Sequence, residues 1–350
     1  MIRVLIADDS ALMRKTLKRI LESDSGITVV GSARDGEDVV VKARELKPDL
    51  ITMDVNMPKQ DGITALQYIV SEKICPVIMV SSLTQEGAQT TFEALELGAF
   101  DFVGKPGGTV SSDMQAVADE LVFKVKTAVG GGGRRVTERL ARKPSTALSR
   151  RARVSSTGNR VMKAVAMGIS TGGPKMIYEV LPHIPRDINA AFFLVQHMPA
   201  NFSAAYIKRL SDSCQLKVVE ARAGTKIEPG YCYVGGGGRH LNVVKNSGGD
   251  VVIRLTNRPE HLFVPSVSVM MDSVLSVYGK QTVGVIMTGM GNDGADSMLR
   301  IRQAGGATIV ESEESAIVFG MPGDTIKRGG AEIIAPIWDI ASEIVRAVGR

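Results

Sequence analysis

Three side chains of the types that form a nucleophile, a base and an orienting acid stand just past separate apolar runs. Ser170 follows Val165-Ala166-Met167, His197 follows Ala190 through Val195, and Asp293 follows Val283 through Met287. A hydroxyl, an imidazole and a carboxylate perform acyl transfer when the base reaches the nucleophile and the acid orients the base. In an open parallel sheet the chemistry collects at the carboxyl ends of the strands, so these three would meet on one rim. A second group lies in the first third of the chain, where Asp8, Asp9, Asp54, Ser81 and Lys105 also follow apolar runs. Clustered carboxylates suit a hard cation such as Mg²⁺, while a hydroxyl and an ammonium suit phosphoryl oxygens. That combination reads as a phosphate and metal site, and therefore as a switch.

The surroundings of the first group narrow the choices. Gly168-Ile169-Ser170-Thr171-Gly172-Gly173 fits the G-x-S-x-G pattern, in which small residues let a sharp strand-to-helix turn expose the serine oxygen. Such a turn could instead cradle a phosphate on free backbone N–H groups. Against that alternative, the turn lacks a Walker lysine, and the next strand closes on His197 where a ribose-binding acid would be needed. Single histidines are more often structural. Of His183, His197, His240 and His261, only His197 sits in a segment, Gln196-His197-Met198-Pro199, that ends a strand-like run on the same rim as Ser170. Asp293 lies in Thr288-Gly289-Met290-Gly291-Asn292-Asp293-Gly294. As a bland reading it is a helix N-cap. Alternatively, the glycines turn backbone N–H groups toward a developing oxyanion, the candidates being those near Thr171 and Met290. The order Ser, His, Asp differs from that of α/β-hydrolases and indicates convergent chemistry on a separate fold.

To position these residues the chain must supply parallel strands. Val4–Ala7, Ile27–Val30, Leu50–Met53, Val77–Val80 and Phe100–Val103 are strand candidates, with helical patterns near 12–22, 36–46, 62–71, 85–97 and 112–127. Strands each followed by a helix predict a doubly wound, flavodoxin-like α/β domain over residues 1–125. From Gly130 the texture changes to a glycine run and arginine clusters with almost no large apolar residue, which reads as a basic linker over 126–160. It is either a solvated tether or a segment attracted to an acidic partner or membrane surface. Over 161–350 a mostly parallel α/β domain is expected, with helices near 174–181, 201–211, 266–278, 294–303 and 337–348. Within it, Leu241–Val244 and Val251–Leu255 flank a polar glycine turn and predict a hairpin inserted in, or appended to, the sheet.

Composition excludes several classes. The chain has 350 residues, too many for one ordinary core, and is 44% hydrophobic and 23% charged, as globular proteins are. Cys75, Cys214 and Cys232 show no C-x-x-C spacing, so neither a disulfide framework nor a zinc site is supported. No apolar run approaches the ~20 residues that cross a bilayer, and no basic-apolar leader precedes Val4. The expectation is a cytoplasmic protein, not membrane-inserted. A net charge of +5 is modest, and no nucleic acid is expected as a partner.

Larger motifs carry a resemblance. Asp8-Asp9, Asp54-x-x-Met57-Pro58-x-x-Asp61-Gly62, Ser81-Ser82 and Lys105-Pro106 are similar to the response-regulator receiver domain. The resemblance implies that Asp54 accepts a phosphoryl group from a histidine kinase, with Mg²⁺ held among Asp8, Asp9, Asp54 and the Asn56 carbonyl. It also implies a switch formed by Ser81 and Phe102 beside Lys105, and a cis bond before Pro106. Gly168–Pro174, Gln196–Pro199, Gly236–Leu241, Pro265-Ser266-Val267, Thr288–Asp293 and Phe319–Pro322 resemble the catalytic domain of the CheB family of chemotaxis methylesterases. That resemblance spans the chain and implies phosphorylation-activated hydrolysis of glutamyl methyl esters on methyl-accepting chemoreceptors. It also implies deamidation of selected receptor glutamines, with no cofactor for the hydrolysis. The stretch 257–263 departs from the family pattern, being less basic, which leaves its role open. The alternative of another class is a non-enzymatic signalling adaptor whose second domain binds a nucleotide or a partner.

Overall fold

The structure is a computed structural model that describes residues 1–82, 84–105, 112–130 and 162–349. It divides into two compact units, Met1–Arg135 and Val136–Arg350. The linker expected over 126–160 falls largely outside the described residues, as does the peptide bond before Pro106.

In the first unit, β1 (Ile2–Ala7), β2 (Ile27–Ala33), β3 (Leu50–Asp54), β4 (Val77–Ser81) and β5 (Asp101–Gly104) form a parallel sheet in the order β2-β1-β3-β4-β5. The helices are α1 (Ala11–Leu21), α2 (Gly36–Leu46), α3 (Gly62–Ser71), α4 (Gln85–Leu97) and α5 (Ser112–Val129). Side-chain caps start four of them, since Ser10, Asp35, Asp61 and Thr84 each accept a hydrogen bond from a first-turn N–H. The core is built from the Val, Ile and Leu of β1, β3 and β4 packed against α1 and α5. Helix α5 continues past the boundary expected at residue 125, because Val125 and Ala128 lie on its buried face and extend the same apolar stripe. Strand order reverses between β1 and β3, which opens a crevice above their carboxyl ends.

The second unit is a seven-stranded parallel sheet built from β6 (Lys163–Ile169), β7 (Ala190–Gln196), β8 (Lys217–Glu220), β9 (Tyr231–Val234), β12 (Thr282–Ile286), β13 (Ala307–Glu311) and β14 (Ile333–Ala335). Its order is β14-β13-β12-β6-β7-β9-β8, so the reversal falls between β6 and β12. Here β6 and β7 are apolar runs buried along their length, as expected for strands covered on both faces. The predicted hairpin is present as β10 (His240–Lys245) and β11 (Val251–Thr256), but it forms a separate two-stranded antiparallel sheet.

The helices of this unit are α6 (Gly173–Met176), α7 (Ala200–Ser213), α8 (Val267–Tyr278), α9 (Ala295–Gln303), α10 (Gly320–Lys327) and α11 (Ile337–Gly349). Two differ from expectation. The helix predicted over 174–181 is α6 followed by 3₁₀ turns at Ile177–Glu179 and Leu181–His183. Pro182 cannot donate into a continuing α-helix, and the break falls at Val180, which lies outside helical geometry between the two turns. Helix α10, with the sequence Gly-Met-Pro-Gly-Asp-Thr-Ile-Lys, carries a proline and two glycines that hide it from propensity. In contrast, α11 is plainly amphipathic, burying Ile337, Ile340, Ala341, Ile344 and Ala347 at helical spacing. Among the described residues no helix is long and apolar enough to cross a membrane.

Candidate active site

The three strand ends do converge. Ser170 lies just past β6, His197 just past β7, and Asp293 in the loop between β12 and α9. His197 Nδ1 is 3.2 Å from Ser170 Oγ, and His197 Nε2 is 3.0 Å from Asp293 Oδ2. The ring therefore presents Nδ1 to the hydroxyl, so Nε2 carries the proton donated to the carboxylate when the imidazole is neutral. The serine turn is tightly built. Gly172 adopts a φ of 77° at the start of α6, a left-handed conformation that glycine reaches without strain. Gly289 packs so closely that a Cβ there would sit 2.7 Å from that of Ser170. Gln196 Nε2 donates to the carbonyls of both Ser170 and His197, tying nucleophile and base segments together.

Asp293 is buried yet holds four donors. Its Oδ1 accepts from Ser266 Oγ and Ser268 N, and its Oδ2 from Val267 N and His197 Nε2. Two of these are first-turn N–H groups of α8, where the helix dipole favours a negative charge. Burial by itself would raise the Asp293 carboxyl, but hydrogen bonds from His197 and Ser268 outweigh it and hold the group well below the usual carboxylate range. The N-cap reading of Asp293 does not hold, since Gly294 stands at the N-cap of α9 without a side-chain cap, and the carboxylate instead accepts from the first turn of α8, which Ser266 caps. Among the described residues neither Thr171 N nor Met290 N donates a backbone hydrogen bond; Thr171 follows Ser170 in the chain, and Met290 follows Gly289, which packs against Ser170. Burial pushes the Cys75 and Cys214 thiols up to about 12, which leaves them poor competitors as nucleophiles.

Residues of the open stretch 257–263 roof this site. The Phe263 ring stacks on the His197 imidazole with centroids 4.1 Å apart and an interplanar angle of 11°. Phe263 N donates to His261 Nδ1, and His261 Nε2 lies 3.7 Å from Asp293 Oδ1. His240, fully buried, accepts from Ser266 N and contacts the Pro259 carbonyl through Nε2, which pins both ends of this loop. Burial lowers the His240 pKa and favours the neutral ring that this pattern of one acceptor and one donor needs. No local signal in the sequence shows that Phe263 faces His197, because their contact is made across the fold.

In the first unit, ligand oxygens of Asp8, Asp9 and Asp54 lie within 4.8 Å of one another. Lys105 Nζ is 2.7 Å from Asp54 Oδ2 and 2.9 Å from Asp8 Oδ2. Apart from that ion pair the buried Asp8 Oδ2 has no partner. Burial pushes the Asp54 carboxyl up, the Asp8 charge adds to this, and Lys105 together with the Asn56 backbone opposes it. Three acids with ligand oxygens this close, facing a single ammonium, fit a hard divalent cation. Ser81 Oγ contacts the Ser82 and Gly87 carbonyls, and Phe102 is buried edge-on to Phe92.

The CheB methylesterase family matches residues 165–344, and the response regulator receiver domain matches residues 4–112. A protein-glutamate methylesterase/protein-glutamine glutaminase of Syntrophomonas wolfei is 72% identical over 353 residues, covering 100% of both chains. One from Pyrococcus abyssi is 40% identical, covering 99% of this chain and 94% of its own. The crystal structure of the Thermotoga maritima CheB methylesterase catalytic domain is similar with a TM-score of 0.52 at 32% identity, over 53% of this chain and 99% of that one.

Proposed function

Because the chain belongs to the CheB methylesterase family and carries a response-regulator receiver domain, we propose that a Ser170, His197, Asp293 triad performs its hydrolysis under control of phosphorylation at Asp54. The enzyme is a chemotaxis protein-glutamate methylesterase and protein-glutamine glutaminase. The observation that carries the triad is the continuous path from Ser170 Oγ through both ring nitrogens of His197 to Asp293. His197 Nδ1 takes the serine proton as Oγ adds to the glutamyl ester carbonyl. Backbone N–H groups of Thr171 and Met290 stabilise the oxyanion, and Asp293 stabilises the imidazolium formed. The proton passes to the departing methoxide, methanol leaves, and water attacks the acyl-enzyme with His197 again as base. A glutamine substrate loses ammonia by the same path.

In the receiver, Asp9, Asp54 and the Asn56 carbonyl, with Asp8 behind them, are the groups that would hold Mg²⁺. Bound there, the ion supplies charge neutralisation during phosphoryl transfer from a histidine kinase. Lys105 then pairs with the phosphoryl charge and Ser81 reorients toward it, with Phe102 following. The substrates are receptor glutamyl side chains, and the setting is the cytoplasm. A fluorophosphonate adduct located by mass spectrometry, together with methanol release from methylated receptors, tests the triad. Label on a residue other than Ser170 overturns it, as would methanol release by Ser170→Ala near the wild-type rate.

A further inference from the structure

Glu311 ends β13 with its side chain fully buried and takes no part in the chemistry above. One carboxyl oxygen accepts from Thr288 N at 2.7 Å, and the other contacts Ser315 Oγ at 2.8 Å. Ser315 Oγ in turn accepts from Ile337 N at the start of α11. Thr288 is bound on every polar atom it has. Its carbonyl accepts from Ser170 N at 3.0 Å, and its hydroxyl donates to the Thr171 carbonyl at 3.0 Å and accepts from Val318 N at 2.9 Å. A single residue thus separates the Glu311 carboxyl from the backbone of the nucleophile turn. Thr288 also begins the loop that carries Gly289, Met290 and Asp293.

We propose that Glu311 is a positioning residue for ester hydrolysis, setting through Thr288 the placement of the Ser170 turn and of the loop that bears Met290. This rests on the reading of Ser170 as nucleophile. An apolar residue would fill the space at lower desolvation cost, so a carboxyl kept in this pocket is explained by the donors it fixes. The groups found acting on Glu311 among the described residues are Ser315 and Thr288, both uncharged. Burial, opposed by the hydrogen bonds from Ser315 and Thr288, pushes its carboxyl from the ordinary 4.5 up to about 7. Native Glu311 therefore keeps its proton to higher pH than the unfolded chain does. Stability is favoured below pH 4.5 and declines as pH rises through about 7. The amide of a glutamine offers the same acceptor to Thr288 N without that ionisation.

The test uses full-length Glu311→Gln, Glu311→Leu and Glu311→Asp with methylated receptor. Active sites are counted by fluorophosphonate titration, so that kcat refers to competent Ser170 alone. Glu311→Leu leaves Thr288 N unpaired and should lower kcat and the Ser170 labelling rate together by roughly 10- to 100-fold, with KM within about threefold. Glu311→Asp, whose arm is one carbon shorter, should fall between, and Glu311→Gln should stay within about threefold of wild type. Relative to wild type, Glu311→Gln should also gain thermal stability at pH 8 over pH 5.5, since it removes the decline just described. If Glu311→Leu does not fold, Glu311→Asp and Glu311→Gln decide the matter. Kcat per titrated site within about twofold of wild type in any folded variant that has lost the Thr288 contact overturns the proposal, a purely structural role giving fewer sites of normal rate. Failure of the wild type to label at Ser170 overturns the nucleophile assignment instead.

Discussion

The receiver crevice and the esterase rim use the same architecture to opposite ends. Both sit where the strand order of a parallel sheet reverses, at β1 and β3 in one unit and at β6 and β12 in the other. In the receiver three carboxylates face one lysine, whose ammonium is shared between Asp8 and Asp54, and burial pushes Asp54 up. In the esterase one carboxylate, Asp293, receives four hydrogen bonds and is held firmly ionised. The first site gathers more negative than positive charge and so suits a cation. The second is complete in itself, so its groups need not rearrange during the reaction. A switch and a catalyst differ here less in their fold than in how fully their charges are satisfied.

The sharpest way to break that contrast is Ser170→Ala, which should lower methanol release by ~10⁶-fold with the thermal transition unchanged, as loss of the nucleophile does in a serine protease. Retention of more than about a tenth of the activity would put the chemistry elsewhere. Next in size, Asp293→Asn should cost ~10⁴-fold in kcat, because an amide that donates can hold the wrong histidine tautomer. It should also flatten acid unfolding. The native carboxyl is depressed below its unfolded value, so its stabilisation is full above that value and is lost as pH falls toward the native one. A wild-type-like loss of stability between pH 5 and pH 2 in the variant would show that other groups govern it.

For the receiver the expected effects are smaller, since they act through an equilibrium. Asp54→Asn should abolish phosphoryl incorporation, and chelating Mg²⁺ should do the same to wild type. The esterase should then lose its response to a small phosphodonor, an effect of ~5- to 150-fold for an ordinary coupling energy. Basal activity of Asp54→Asn should remain. Full activation of this variant by phosphodonor would remove Asp54 from the mechanism.

What the sequence made legible follows the same division. Ser170, His197 and Asp293 could be located because each ends an apolar run, and strand ends of a parallel sheet share a rim. The acids and Lys105 were legible for the same reason. Helix α10 was not, because Pro322 and its glycines disguise a helix whose Met321 and Thr325 are fixed by tertiary burial. Strands β8 and β9 lay within a Val, Tyr and Gly-rich stretch in which only the β10-β11 hairpin had a turn signal. Glu311 stands beside other acids in Glu311-Ser312-Glu313-Glu314, and nothing local sets it apart from them. Its burial is set by β13 lying between β12 and β14, an order that alternation of strands and helices does not specify. The stretch 257–263 is open in the sequence because it is less basic than the family pattern, and its stacking of Phe263 on His197 joins segments far apart in the chain.

That roof offers the mildest test of the contrast. The Phe263 ring covers one face of the base, while the His197 edge remains engaged with Ser170 and Asp293. Stacked aromatic pairs contribute about 0.5–1.5 kcal/mol beyond area burial, so Phe263→Ala should reduce kcat by roughly 2- to 10-fold. Phe263→Tyr, which keeps the ring, should retain wild-type activity. In the receiver, Phe102 meets Phe92 edge to face, with Lys124 Nζ 5.3 Å from its ring centroid. Phe102→Ala should therefore leave basal methanol release within about twofold while changing the gain produced by phosphorylation. Measuring both variants with and without phosphodonor separates the two kinds of site. If Phe263→Ala altered only the phosphorylation gain, the ring over His197 would belong to the switch, and the completeness of the esterase site would need another source.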